Sequence, residues 1–403
     1  MRQIVKSDRL NNVKYEVRGL VLDEANRMLA QGTKVLKLNI GNPAVFGFNA
    51  PEELFETLIA NVRSAQAYSD SKGIAAAREA ILEYDRYKNI PSVTEEDIYT
   101  GDGTSELISI CMQALLNPGD EILIPTPDYP LWTAAATLAG GKVVHYLCDE
   151  EAAWNPDLPH MRKLISDRTK AIVVISPNNP TGAIYDDEVL KQIVELAREH
   201  GLMIFADEIY DRVMMGGGPH TSIASLAPDL FCITFNGLSK SHMVCGYRCG
   251  WMSLSGNKSL AKDFMEGLNT LVSMRLCANV LAQNIIGVSL HNLKPDPVVM
   301  PGGRLYEQCE FIYEALNDIP GVSAVKPKGA LYIFPKLDIK KFNITDDQQF
   351  AFDFLHEQKV LVVQGSGFNW PHPDHFRIVF LPNLDDLRTS MDALRDFLEH
   401  YHQ

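Results

Sequence analysis

In Asn236-Gly237-Leu238-Ser239-Lys240 a lysine stands among small residues directly after an apolar run at 232–235, and Arg248 follows it eight residues later. Most lysines are solvated surface cations, so one lying among small residues just beyond a strand end is unusual. Upstream, the run at 202–206 leads into Asp207-Glu208-Ile209-Tyr210. A strand there carries the Asp207 carboxylate to the rim of a buried sheet, where it needs an arginine or a cationic ligand group as counter-charge. Pro177-Asn178-Asn179-Pro180-Thr181-Gly182 follows the run at 170–176 and reads either as a plain turn or as a turn whose Asn179 donates to a bound oxygen. Gly101-Asp102-Gly103-Thr104-Ser105-Glu106 joins a strand-like run at 97–100 to a helix at 105–116. Glycines at a helix start let the first amides face an anion, with the Thr104 and Ser105 hydroxyls beside them; a capped start with no ligand is the other reading. Near the C-terminus, Arg377 points away from the face shared by Phe376, Ile378 and Phe380. Taken alone it reads as a solvated arginine on an edge strand.

Most of these residues follow apolar runs that must form one sheet. From 96 to 236 short strand-like runs alternate with helix-like runs, the pattern of an α/β sheet. The clearest unit is a strand at 170–176, a helix at Asp187–His200 with Val189, Leu190, Ile193, Val194 and Ala197 on one stripe, Gly201 at its C-cap, and a strand beginning at 202. A crossover of this kind makes the two strands parallel, and parallel sheets bind ligands beyond the carboxyl ends of their strands. Past about residue 290, Pro295, Pro297, Pro301, Gly302 and Gly303 interrupt the chain. A smaller α+β unit follows, with strands expected at 330–334, 360–363 and 376–380 and a last helix carrying Leu384, Leu387, Met391, Leu394 and Leu398. The expected fold is a three-layer α/β/α large domain at 46–295 with a mostly parallel sheet, plus a small domain built from 296–403 and the N-terminal arm at 1–45.

A net charge of -14 argues against nucleic acid or an anionic membrane as the main partner. The seven cysteines form no CxxC pair, the start has no apolar signal core, and no apolar run reaches membrane-spanning length, so a soluble cytoplasmic protein is expected. No GxGxxG, GxxxxGK[ST] or HExxH occurs, the eleven histidines show no ligand spacing, and no metal site is expected.

Together GDGTSE, NNPTG, DEIY and the lysine–arginine pair at 240 and 248 resemble the fold-type-I, class I/II pyridoxal-phosphate-dependent aminotransferases. The likeness extends over essentially the whole chain. Within that family VLKLNIGNPAVFGF, PDYPLWTAA, RLYEQ and KGALYIFPK look most like the bacterial glutamate–pyruvate (alanine) aminotransferases. The resemblance implies that Lys240 holds the aldehyde of pyridoxal 5'-phosphate and shuttles the proton during transfer. Asp207 would pair with the ring nitrogen, Tyr210 and Asn179 with the ring oxygen, and Tyr129 would stack on the ring. Thr104, Ser105, Ser239 and Arg248 would hold the phosphate, helped by Tyr68 from a neighbouring subunit in a homodimer with shared sites. One position departs from the pattern, since many relatives carry a serine where Gly237 stands. Arg377 and the Gly41 backbone would bind the substrate carboxylate, with Asn179 beside them, and Tyr15 or Arg18 on the arm would close over the substrate. The expected partners are amino acids and 2-oxo acids, and the expected reaction is L-alanine with 2-oxoglutarate. Transaminases of aromatic or branched amino acids and β-lyases use the same scaffold. A non-catalytic regulatory protein is disfavoured by the intact set of Lys240, Asp207, Tyr210 and Arg377.

Overall fold

A computed structural model describes residues 3–13 and 15–403; Met1, Arg2 and Lys14 of the expected N-terminal segment lie outside the described residues. After a short strand β1 (Leu36–Lys37), eight strands build the main sheet: β2 (Ile98–Asp102), β3 (Glu121–Thr126), β4 (Lys142–Asp149), β5 (Asn155–Pro156), β6 (Thr169–Ile175), β7 (Met203–Asp207), β8 (Phe231–Gly237) and β9 (Cys249–Gly256). Their spatial order is β2-β9-β8-β7-β6-β3-β4-β5. The run β4-β3-β6-β7-β8 is parallel, while β9 lies antiparallel between β8 and β2, and β5 is antiparallel to β4. The crossover read from the sequence is present: β6 and β7 pair in parallel from Ala171↔Met203 to Ile175↔Asp207. The helix between them is Asp187–His200, and Gly201 ends it with φ 64°, a left-handed conformation that a side chain disfavours.

Period-two alternation distributes these strands over two cores. Ile172, Val174, Ile204, Ala206 and Cys232 face one side with Leu190, Ile193, Val194 and Ala197 of the crossover helix. Val173, Ile175, Phe205, Ile233 and Phe235 face the other with Leu107, Cys111, Trp132 and Leu268. With helices on both faces the architecture is the expected α/β/α arrangement. No helix among the described residues is long and apolar enough to cross a membrane.

A third core joins both ends of the chain. Val21, Ala25 and Met28, at helical spacing on Leu20–Ala30, pack with Ile312 of Arg304–Asn317, Phe354 of Asp347–Gln358 and Leu394 of Leu384–His400. Beside them are β10 (Val322–Ser323), β11 (Tyr332–Ile333), β12 (Lys336–Leu337), β13 (Val360–Leu361), β14 (Val363–Gln364) and β15 (Phe376–Val379). The expected strand at 360–363 is divided: β13 pairs in parallel with β1, and β14 pairs with β15. The expected strand at 330–334 shortens to β11, with Ala330 at φ 59° before it. Because β11 and β14 flank β15 on either side, β15 is a central strand. This corrects the reading of Arg377 as solvated: the residue is 2% exposed.

Candidate active site

The chemically capable residues gather beyond the carboxyl ends of β2, β3, β6, β7 and β8, where a parallel sheet presents its strand ends. On β7, Asp207 shares the face of Phe205 and so meets Trp132 of the helix Leu131–Ala139. The Trp132 indole Nε1 donates to the Asp207 carboxylate at 2.9 Å. Of the two counter-charges open at the sequence level, arginine is not the one used, because no ion pair among the described residues involves Asp207. Burial pushes this carboxyl up to about 6, the indole bond working against that rise. One turn on, the buried Tyr210 hydroxyl lies 2.8 Å from the Tyr332 hydroxyl.

Lys240 sits in the short helix Leu238–Ser241 that β8 feeds into. Its Nζ donates to the Gly41 carbonyl at 2.6 Å and lies 3.7 Å from Cys245 Sγ. Gly41 leaves room for a close approach, since a Cβ there would stand 2.1 Å from the Tyr332 phenolic oxygen. Gly237, the position that departs from the family pattern, is pressed against β9: a Cβ would lie 2.7 Å from the Cys249 carbonyl oxygen. A serine at 237 therefore requires the backbone to shift.

The helix Thr104–Leu115 begins after Gly103, whose φ of 79° turns the chain and which supplies no side-chain cap. Thr104 and Ser105 are half-buried at this start, where the unsatisfied amides and the helix dipole favour an anion. Arg248, itself at φ 54°, donates Nη1 to the Cys245 carbonyl at 2.9 Å and Nη2 to the Asp102 carbonyl at 3.3 Å. A Cβ on Gly103 would stand 2.1 Å from that Nη2, so the glycine admits the guanidinium to the helix start. Ser239 is buried; its carbonyl accepts a bond from the Cys245 thiol at 2.8 Å.

Arg377 crosses from the small sheet toward this centre. Nη1 donates to Asn179 Oδ1 at 3.0 Å and Nη2 to the Asn39 carbonyl. The guanidinium is held between two aromatic faces, 4.4 Å from the Tyr332 centroid and 4.6 Å from that of Phe368. Its Nε is buried without a hydrogen-bond partner, and no carboxylate among the described residues pairs with it. Burial lowers its pKa, an effect the surrounding tyrosines partly oppose. Nearby, the Tyr129 and Tyr15 hydroxyls are 3.0 Å apart, which joins the N-terminal arm to the loop after β3. The following turn Glu16–Arg18 packs on Gly365–Phe368, where a Cβ on Gly367 would be 3.5 Å from the Glu16 Cβ.

Lys240, Gly41, Tyr210, Asn179, Arg377, Tyr15 and Tyr129 thus lie in one connected region, with Asp207 on the same turn as Tyr210 and the Gly103–Ser105 start with Arg248 at its edge. Two expected residues are exposed, Arg18 and, at 79%, Tyr68. Three residues of the site escaped the sequence reading of individual roles, namely Trp132, Tyr332 and Phe368. The first two lie inside the PDYPLWTAA and KGALYIFPK stretches, yet nothing in those stretches names their partners. The arrangement offers an amine, a buried carboxylate suited to a protonated ring nitrogen, a helix start with a guanidinium suited to a phosphate, and a buried guanidinium suited to a carboxylate. These features fit a phosphorylated pyridine aldehyde and an amino acid.

The family described as aminotransferase class I and II matches residues 33–394. Glutamate-pyruvate aminotransferase AlaA of Escherichia coli is 57% identical over 404 residues, covering 100% of both chains. Alanine aminotransferase of Mycobacterium tuberculosis is 51% identical, covering 100% of this chain and 94% of that one. The crystal structure of an aminotransferase from Escherichia coli matches with a TM-score of 0.98 at 57% identity, again over 100% of both chains.

Proposed function

The chain belongs to the class I and II aminotransferases, a pyridoxal-phosphate-dependent family, and from that premise we propose that it moves the amino group of L-alanine to 2-oxoglutarate, forming pyruvate and L-glutamate. The observation that carries this reading is a lysine amine on the Gly41 carbonyl, with Tyr332 packed against Gly41 and touching both Arg377 and Tyr210, and with Asp207 and Arg377 both buried and ion-paired to nothing among the described residues. The choice of alanine rests on full-length similarity to two proteins named for glutamate–pyruvate and alanine transamination.

When bound, pyridoxal phosphate supplies an aldehyde that exchanges amino groups and a ring that withdraws electrons from the substrate α-carbon. Lys240 would hold that aldehyde, and its free amine would move the proton at the substrate α-carbon. Asp207 would keep the ring nitrogen protonated, and a carboxylate that burial makes costly to ionise alone would be stabilised by that cation. Tyr210 and Asn179 would donate to the ring oxygen, and Tyr129 would cover the ring. Thr104, Ser105, Ser239 and Arg248 hold the phosphate; the forked guanidinium suits its oxygens. Arg377 grips the substrate α-carboxylate in a bidentate pair, with Gly41 beside it. Tyr15 and Arg18 form the arm that closes over the substrate side chain.

A homodimer completes the enzyme, with the exposed Tyr68 serving the phosphate of the neighbouring subunit. We assign the enzyme to the cytoplasm, a reading that the seven free cysteines support. The test is a screen of amino donors against the pyridoxal-phosphate form, following its conversion to the pyridoxamine form. Alanine and glutamate are expected among the fastest. Faster aromatic or branched donors would overturn the alanine assignment and leave the aminotransferase intact, while a protein that gains no visible absorbance with pyridoxal phosphate would overturn the cofactor roles.

A further inference from the structure

Tyr332 touches both ends of the site. On β11 it stands opposite Val379 of β15, which makes Arg377 its diagonal neighbour across the strand pair. Diagonal neighbours two residues off register are within reach of long and aromatic side chains. The Arg377 guanidinium accordingly lies 4.4 Å from the Tyr332 ring centroid, while the phenolic oxygen, at the other end of the same side chain, is 2.8 Å from the Tyr210 hydroxyl. The two phenol rings meet edge to face, 5.8 Å between centroids and 85° between planes.

Its surroundings fix this side chain. The hydroxyl fills the space a Cβ would take on Gly41, whose carbonyl receives the Lys240 amine. Its backbone carbonyl abuts Gly182 of the NNPTG turn, where a Cβ would be 2.8 Å away. The residue is 3% exposed, so water does not compete for the phenol pair.

We propose that Tyr332 is a positioning residue for transamination, its hydroxyl aiming the Tyr210 phenol at the cofactor ring oxygen while its ring face backs the Arg377 guanidinium. This rests on the roles given above to Tyr210 and Arg377. Two phenols in contact share one hydrogen bond, and the partner that accepts keeps its own proton for a third group. With Tyr332 donating, the Tyr210 proton is free to point at the ring oxygen. A freely rotating Tyr210 hydroxyl would give up that orientation. Because the same ring supports Arg377, one residue of the small sheet holds a cofactor contact and a substrate contact in register.

Tyr332→Phe removes the hydroxyl and keeps the ring, whereas Tyr332→Leu removes both. Each is compared with wild type and Tyr210→Phe in the full-length enzyme. The readouts are the pH titration of bound-cofactor absorbance, the pyridoxal-phosphate dissociation constant of stripped enzyme, kcat and KM for alanine, and the unfolding midpoint. In Tyr332→Phe the absorbance titration moves to higher pH, and kcat falls about 3- to 10-fold with KM within about twofold. In Tyr332→Leu, KM for alanine also rises, by about tenfold. A Tyr332→Phe enzyme that loses thermal stability with its titration and kcat unchanged overturns the proposal, leaving only a packing role. If Tyr210→Phe itself leaves the titration unmoved, the role of Tyr210 fails and the proposal with it. A shift in Tyr210→Phe without one in Tyr332→Phe overturns the proposal alone.

Discussion

Asp207 ends β7 and Asp211 lies four residues further on; both are buried, and the protein treats their charges in opposite ways. Asp211 accepts from the Lys88 ammonium, the Tyr84 hydroxyl and the Asn236 amide, each at 2.7 Å, and Lys88 also reaches Glu208, which Ser222 bonds in turn at 2.7 Å. Burial alone would raise the Asp211 pKa, yet Lys88 holds it below the usual carboxylate range. Lys88 is itself raised: burial works against its charge, and the two carboxylates outweigh that. Asp207 has one indole N–H and a weak backbone bond, and burial pushes it up to about 6. Arg377 mirrors Asp207 with the opposite sign. A buried charge matched by its own chain is structure, while one left unmatched marks where a ligand brings the counter-charge. The same contrast bears on Glu208, Asp211 and His220, which lie close enough to ligate a metal ion. Lys88 already supplies the cation there.

The sharpest way to break this contrast is to remove the matched cation. Lys88→Met leaves two buried carboxylates facing each other and lowers the free energy of unfolding by about 3–5 kcal/mol, read from denaturant titration of the stripped protein. A loss below about 1 kcal/mol would mean the cluster is not structural.

Removing the unmatched charge has the opposite sign. Burial pushes the folded Asp207 carboxyl from an ordinary 3.8 up to about 6. A raised folded pKa contributes stability below the ordinary value and loses it as pH rises through the folded one. The difference of about 2 units corresponds to roughly 3 kcal/mol at most. Cofactor-free Asp207→Asn should therefore be more stable than wild type at pH 8, with the gap closing below about pH 4, while its transaminase activity collapses. Stripped protein unfolded across that pH range checks this, and a gap independent of pH would contradict it.

Arg377→Lys keeps the charge and loses the fork. It lowers kcat/KM for alanine by about 2–3 kcal/mol, roughly 30- to 150-fold, with the unfolding midpoint nearly unchanged. An equal fall in stability would place Arg377 with Lys88 on the structural side. The smallest effect belongs to the exposed Arg18. Arg18→Ala should cost glutamate about fivefold more in kcat/KM than alanine, and equal losses would remove it from substrate selection.

Much of the α/β frame was readable because its signals are local. The crossover helix Asp187–His200, its Gly201 cap and the parallel β6–β7 pair follow from apolar periodicity and one glycine. The antiparallel place of β9 between β8 and β2 did not follow, since periodicity says which face a residue takes and nothing about which strand lies beside it. Arg377 makes the same point within one residue. Alternation correctly set it on the face away from Phe376 and Ile378, but its burial depends on β11 and β14 pairing on both sides.

By itself the sequence determined the chemical inventory of this protein: an amine after β8, a carboxylate at the end of β7, an anion-ready helix start after β2, and an arginine near the C-terminus. Residue types and the strand ends they follow place the first three, while their roles and that of the arginine came from the family resemblance. Tertiary structure alone decided which charges stay unmatched and which side chains tie the set together. Trp132 meets Asp207 from 75 positions away, Tyr332 meets Tyr210 from 122, and Lys88 meets Asp211 from 123. Such contacts are made by packing between elements, and burial and its electrostatic consequences arise only when those elements close on one another.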